Sequence, residues 1–246
     1  MTKMKGLVLG LLATGSASGE TMIKVQFESK GPTGNAPVAG VFHDGSFGNF
    51  ATGSAASAGL ETLAEVGNPA PYLAEAGFNG GTNGAPFATG NTVDFIVTVD
   101  PVNTSFSYAS MVPASNDWFI GNSSAVDVSS LVGGMNGTTL SWDVTRVYDA
   151  GTELEDFAFS PGNGMLGVTT PADLAGGTDQ NGVVSLVTGP DPFAAFANPS
   201  PGFDSTAFDF TQPDTVLGTF TLTVVPEPST AMMGLLAILP MLRRRR

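Results

Sequence analysis

Between residues 92 and 100 the chain alternates without a break, with Val93, Phe95, Val97 and Val99 on one side. Side chains two residues apart share a face only in an extended strand, so this run does not fit an amphipathic helix. The same period recurs at residues 22–28, where Ile23, Val25 and Phe27 alternate with Lys24, Gln26 and Glu28. It returns at 104–112 with Phe106 and Tyr108 in phase, and at 138–147 with Leu140, Trp142 and Val144. The last such run is 216–224, with Val216, Phe220, Leu222 and Val224 on one side. Residues 38–43 and 183–187 are shorter strand candidates. Seven short strands joined by turns, in a chain with 32 Gly and 17 Pro, predict an all-β fold, an antiparallel β-sandwich. The simplest local pairing is a hairpin between 92–100 and 104–112.

The period changes at residues 54–66, where Ala56, Leu60, Leu63 and Ala64 recur at helical spacing. Ser54 or Ser57 is a candidate N-cap and Gly67 a stop. Residues 69–76 form a second short helix closed by Gly77, so both helices fall in one strand connection. Residues 80–90, 161–181 and 189–204 read as loops. The Phe-rich stretch 193–210 is expected to fold onto the sandwich.

Charge is unevenly spread. Only Lys24, Lys30 and Arg146 are basic between residues 6 and 242, whereas 21 of the 22 acidic residues lie between Glu20 and Asp214, so this middle part carries about −18. Nucleic-acid phosphate and anionic lipid are therefore unsuitable partners, and cations are suitable ones. The absence of cysteine excludes disulfides and thiolate-bound metals.

The two ends read as addresses. Residues 1–19 combine Lys3 and Lys5, a short apolar run and small residues, the pattern of a secretory signal peptide. The folded domain is expected over residues 20–224. In residues 225–246, Pro226-Glu227-Pro228 precedes an apolar run, 230–242, and four arginines. A helix of that length reaches about 20 Å, short of the roughly 30 Å hydrocarbon core. The order of these pieces resembles the PEP-CTERM sorting signal of Gram-negative bacteria. That resemblance implies an exosortase-type sorting enzyme as partner and transient anchoring in the inner membrane through this segment alone. It also implies exposure at the cell surface or in the extracellular matrix, and a link to exopolysaccharide and biofilm.

Two turns carry the candidate chemistry. Asp117 lies in the stretch MVPASNDWFIG, and Asp149 and Glu153 lie in YDAGTE. Three acids with almost no base nearby repel one another unless solvated or joined by a hard cation such as Ca²⁺. The alternative is three unrelated, solvated turn acids, since Asp is common in turns.

A succession of motifs carries a further likeness. HDGSF at 43–47 is followed by GSAASAGL at 53–60 and LAEVG at 63–67. FSYASM at 106–111, PASNDWFIG at 113–121 and YDAGTE at 148–153 come next. This order resembles the spondin domain, over roughly residues 21–224. The resemblance implies an antiparallel β-sandwich and a Ca²⁺ held by Asp117, Asp149 and Glu153. Glu153 departs from the animal pattern, which has Asp there.

Other chemistry finds little support. His43, the single histidine, adjoins Asp44, but neighbours in a strand point to opposite faces, so a structural or turn-capping role is expected. No nucleophile elbow is present. Asp149 and Glu153 are conceivable glycosidase carboxylates without an aromatic sugar cleft to accompany them. Trp118 and Trp142 read as core residues. The expectation is a non-catalytic binding or adhesion module stabilised by Ca²⁺, with extracellular polysaccharide or matrix as partner. The alternatives are a purely structural matrix protein and a polysaccharide-acting hydrolase.

Overall fold

The computed structural model describes residues 19–31, 34–112, 115, 117–154, 178–188 and 215–227. All but the last residue of the expected signal peptide, the apolar run 230–242 with its arginines, the Phe-rich stretch 193–210 and most of the two long loops lie outside the described residues.

The protein is an antiparallel β-sandwich. Its strands are β1 (Thr21–Ser29), β2 (Ala39–His43), β3 (Asn79–Thr82), β4 (Thr92–Val99), β5 (Ser105–Met111), β6 (Trp118–Gly121), β7 (Val126–Asp127), β8 (Thr139–Val144), β9 (Val147–Asp149), β10 (Ser185–Leu186) and β11 (Gly218–Val224). One sheet has the order β4-β1-β11-β8, and the other runs β10-β9-β6-β5-β2-β3 with β7 also paired to β5. Between β2 and β3 lie the two helices, α1 (Ala58–Val66) and α2 (Pro69–Ala76).

The alternating strands build the smaller sheet. Val25 stands opposite both Leu222 and Phe95, and Phe27 opposite both Phe220 and Val93. These side chains meet Val38, Phe42, Phe106, Tyr108 and Ile120 of the facing sheet in the main core. Phe220 is its centre, with ring centroids 4.4 Å from Tyr108, 4.7 Å from Phe27 and 5.2 Å from Trp142.

The larger sheet is covered on its other face too. Ala39, Val41, Ala109, Phe119 and Tyr148 pack there with Leu60, Leu63, Ala64 and Tyr72 of the helices. Burial on both faces removes the requirement for polar alternation. Hence β2 and β6 are buried at every position and read as plain apolar runs.

Helix α1 starts where the Ser57 side chain accepts from the Leu60 amide, and it ends at Gly67 with φ 68°. Ser57, not Ser54, is therefore the cap. The Glu75 carboxylate of α2 accepts from Ser57 Oγ at 2.6 Å and from the Gly59 amide at 2.7 Å. This anion sits at the positive end of α1 and fastens the two helices together.

The hairpin expected between residues 92–100 and 104–112 does not form. β4 pairs with β1 and β5 pairs with β2, so the corner after β4 carries the chain from one sheet to the other. The Asn79 side chain holds that corner, accepting from the Asp100 amide at 3.0 Å and from Asn103 Nδ2 at 2.6 Å. Alternation reports which face of a strand is buried but not which strand lies beside it. A second crossing divides the run 138–147, since β8 joins the smaller sheet and β9 the larger. Of residues 183–187 only Ser185 and Leu186 pair as strand, and β3 occupies the start of the expected loop 80–90.

Candidate functional site

The two acidic turns meet. β6 and β9 are neighbours, with Trp118 opposite Asp149, and the Ala150 amide donates to the Asp117 carbonyl at 3.1 Å. Ser115 shapes the first turn: its Oγ donates to the Val112 carbonyl at 2.8 Å and accepts from the Trp118 amide at 2.9 Å. In the second turn Asp149 Oδ1 accepts from the Gly151 amide at 2.6 Å. Gly151 has φ +69°, and a Cβ there would lie 2.6 Å from the Val183 carbonyl, so only glycine lets the turn close onto residues 182–184.

Asp117 is completely buried. Its Oδ2 accepts from the Thr152 amide at 2.7 Å, the Glu153 amide at 3.0 Å and Thr152 Oγ1 at 3.1 Å. Its Oδ1 is equally buried and has no hydrogen-bond partner among the described residues. Half of the carboxylate is thus fully satisfied and half is bare. A bare anionic oxygen out of water is costly unless a cation faces it.

Asp149 is half-buried beside it. Burial, followed by the Asp117 charge, pushes its carboxyl above the usual range against the pull of the Gly151 amide. Glu153 is buried, donates its amide to Asp117 and forms a bridge with Asp179. Two of the three expected residues, Asp117 and Asp149, therefore sit within each other's field, and Glu153 reaches the pair through its backbone. Among the described residues no three acidic or histidine side chains stand as a ready-made chelating group.

A fourth acid joins from the helical layer. Glu65, in the last turn of α1, has its carboxyl raised by burial and by the charges of Glu61, Asp117 and Asp179, while the Thr152 hydroxyl lowers it. That hydroxyl has one proton to share between Glu65 and Asp117. The last turn of α1 contains no basic residue. Glu65 thus stands at the negative end of a helix, four residues from Glu61, where nothing on its own element favours a negative charge. The sequence places Glu65 beside Leu63 and Ala64 of the apolar face; the docking of α1 beside β6 was not legible. The ion pairs lie elsewhere, Lys24 with Asp94 at 3.9 Å and Lys30 with Glu28 at 3.3 Å, both on or next to β1 of the other sheet.

His43 is fully buried. Its Nδ1 accepts from the Gly45 amide at 3.1 Å, so a neutral ring carries its proton on Nε2, which faces Ser107 Oγ at 3.0 Å. A ring in that tautomer has no lone pair with which to accept the serine proton. Burial holds its pKa below the ordinary value, against the opposing charge of Asp44. The unfolded chain therefore takes up this proton first as pH falls. Stability contributed by His43 is intact above about pH 6.5 and is lost between there and the lower folded-state pKa. Urea unfolding from pH 7.5 to 5 is expected to show this loss, and His43→Gln should flatten that part of the profile, because the chain has no other histidine.

Trp118 and Trp142 belong to the main core or pack against it, as the sequence suggests. No family model matches the chain, and no curated protein matches it significantly.

Proposed function

We propose that the chain is an exported, non-catalytic binding or adhesion module whose loop end is stiffened by a bound Ca²⁺. The observation that carries the metal is the bare, fully buried Oδ1 of Asp117 next to the half-buried carboxylate of Asp149. Hard divalent cations take six to eight oxygens from carboxylates, carbonyls and water, so roughly two carboxylates form a workable start. Asp117 and Asp149 would hold the ion. Glu153 or Glu65 would bring a third carboxylate by side-chain rotation. Bound there, the cation supplies no chemistry beyond neutralising mutual repulsion and tying α1, β6 and the β9 turn together.

Export, the PEP-CTERM likeness and the spondin likeness rest on the motifs given above, which support a location at a Gram-negative cell surface or in an exopolysaccharide matrix. The non-catalytic reading is supported by the His43–Ser107 pair, whose protons are on the wrong side for a base and a nucleophile.

Thermal melting with increasing CaCl₂ at pH 7 tests the metal. At about a hundred times the dissociation constant, a site present only in the folded state adds about 2.7 kcal/mol, or roughly 5–10 °C for a domain of this size. Extracellular modules bind at about 10⁻⁴ to 10⁻³ M, so the titration must extend through tens of millimolar. A melting temperature that ignores Ca²⁺, or responds equally to Mg²⁺ and to added NaCl, overturns the reading.

A further inference from the structure

In a middle region where acids outnumber bases seven to one, an arginine without an acidic partner needs a reason. Arg146 is such a residue. It lies at the crossing between β8 and β9, is exposed, and makes no ion pair among the described residues, whereas Lys24 and Lys30 both do. Its side chain lines a cavity of about 470 Å³ together with Thr52, Ser123, Ser185, Val183 and Leu186.

This cavity has a built frame. The Gly53 amide donates to the Val184 carbonyl and the Val184 amide to the Ser54 carbonyl, each at 2.8 Å, which fixes the two loops that form its wall. The Val187 amide donates to the Val147 carbonyl at 3.0 Å and closes the sheet side. Tyr148, packed on Phe50 and Phe119, forms the floor. None of the hydroxyls of Thr52, Ser123 and Ser185 is engaged by another described group. Three hydroxyls and one guanidinium, none with a partner among the described residues, therefore line one space beside an apolar wall.

We propose that this cavity binds a hydroxylated monocarboxylate, specifically a single hexuronate unit carried by an otherwise neutral glycan. A guanidinium offers a planar pair of donors that matches a carboxylate. The hydroxyls match a sugar body, and the volume holds one to two sugar rings. The strongly negative field of the domain repels a dianion about twice as strongly as a monoanion, which disfavours phosphate monoesters. The site stands on geometry independent of the Ca²⁺ reading; only the choice of a glycan as occupant rests on the binding-module reading.

Calorimetric titration of the full chain with a short oligoglucose bearing one glucuronate tests this, against the matching neutral oligoglucose, each in EDTA and in Ca²⁺. The glucuronate-bearing oligomer is expected to bind in both conditions, at least tenfold tighter than oligoglucose. Arg146→Met is expected to weaken it ten- to a hundredfold, as loss of a charge-assisted bond would, while leaving the melting temperature unchanged because the residue is exposed. Arg146→Lys should retain part of the affinity. Equal binding of the neutral oligomer, full binding by Arg146→Met, or displacement by equimolar inorganic sulfate would overturn the proposal. Binding that needs Ca²⁺ and ignores Arg146→Met would also overturn it, while leaving the calcium reading standing. Conversely, Arg146-dependent binding with no thermal response to Ca²⁺ would sustain the cavity and remove the metal.

Discussion

Phe220→Ala is expected to remove about 3–5 kcal/mol of stability, the largest loss of any single truncation considered. The ring is fully buried in the centre of the smaller sheet and touches aromatic partners from both layers, Phe27 and Trp142 on its own side and Phe106 and Tyr108 across the gap. Removing it opens a cavity whose walls belong to three different strands, β1, β5 and β8, so no single side chain can move in to fill it. Aromatic edge and stacking contacts add to the transfer and cavity costs. Urea unfolding followed by tryptophan fluorescence is the measurement, and Trp142, stacked on Phe220 at an interplanar angle of 18°, is a direct reporter. A loss under about 1 kcal/mol would mean that the two sheets are not packed as described.

Asp117→Ala and Asp117→Asn are expected to diverge. Alanine leaves the half-buried amide of Thr152 and the buried amide of Glu153 without an acceptor, at about 1–3 kcal/mol each, so a loss of about 3 kcal/mol is expected even in chelator. Asparagine keeps one oxygen for those amides. It also places an NH₂ donor where the bare Oδ1 stood, next to the Asp149 carboxylate. Asp117→Asn should therefore be at least as stable as the wild type in EDTA, yet gain nothing from Ca²⁺. This pair separates the framework role of Asp117 from its cation role, which alanine alone would confound. An asparagine variant that still shows the full calcium shift would place the ion elsewhere.

The strands of the smaller sheet were legible because each has one buried and one open face, and hydrophobic alternation is the direct imprint of that asymmetry. The larger sheet was less legible for the opposite reason. Between the helices and the facing sheet, β6 has no open face, and its four residues carry no period. β3 is half glycine, with Gly80 packed on Leu73 and Gly81 on Phe95, so its backbone pairs while its composition resembles a loop. Strand partnership was the weakest inference. Nothing in residues 92–112 distinguishes a hairpin from a corner that changes layer; the deciding group, Asn79, is distant in sequence. At the acidic site, the meeting of the two turns was legible from motif order. The contribution of Glu65 was not, because it depends on how α1 docks.

The position of β11 has a consequence for the timing of folding. This final strand is not at an edge; it lies between β1 and β8 and bonds to both. A nascent chain emerging from its amino end can pair β1 with β4, but β8 cannot join that layer until β11 has been synthesised. The closing contacts span nearly the whole polypeptide, and such long-range pairing is slow. A molecule built this way leaves that layer open until late in its synthesis, and the smaller sheet is completed only when β11 inserts between β1 and β8.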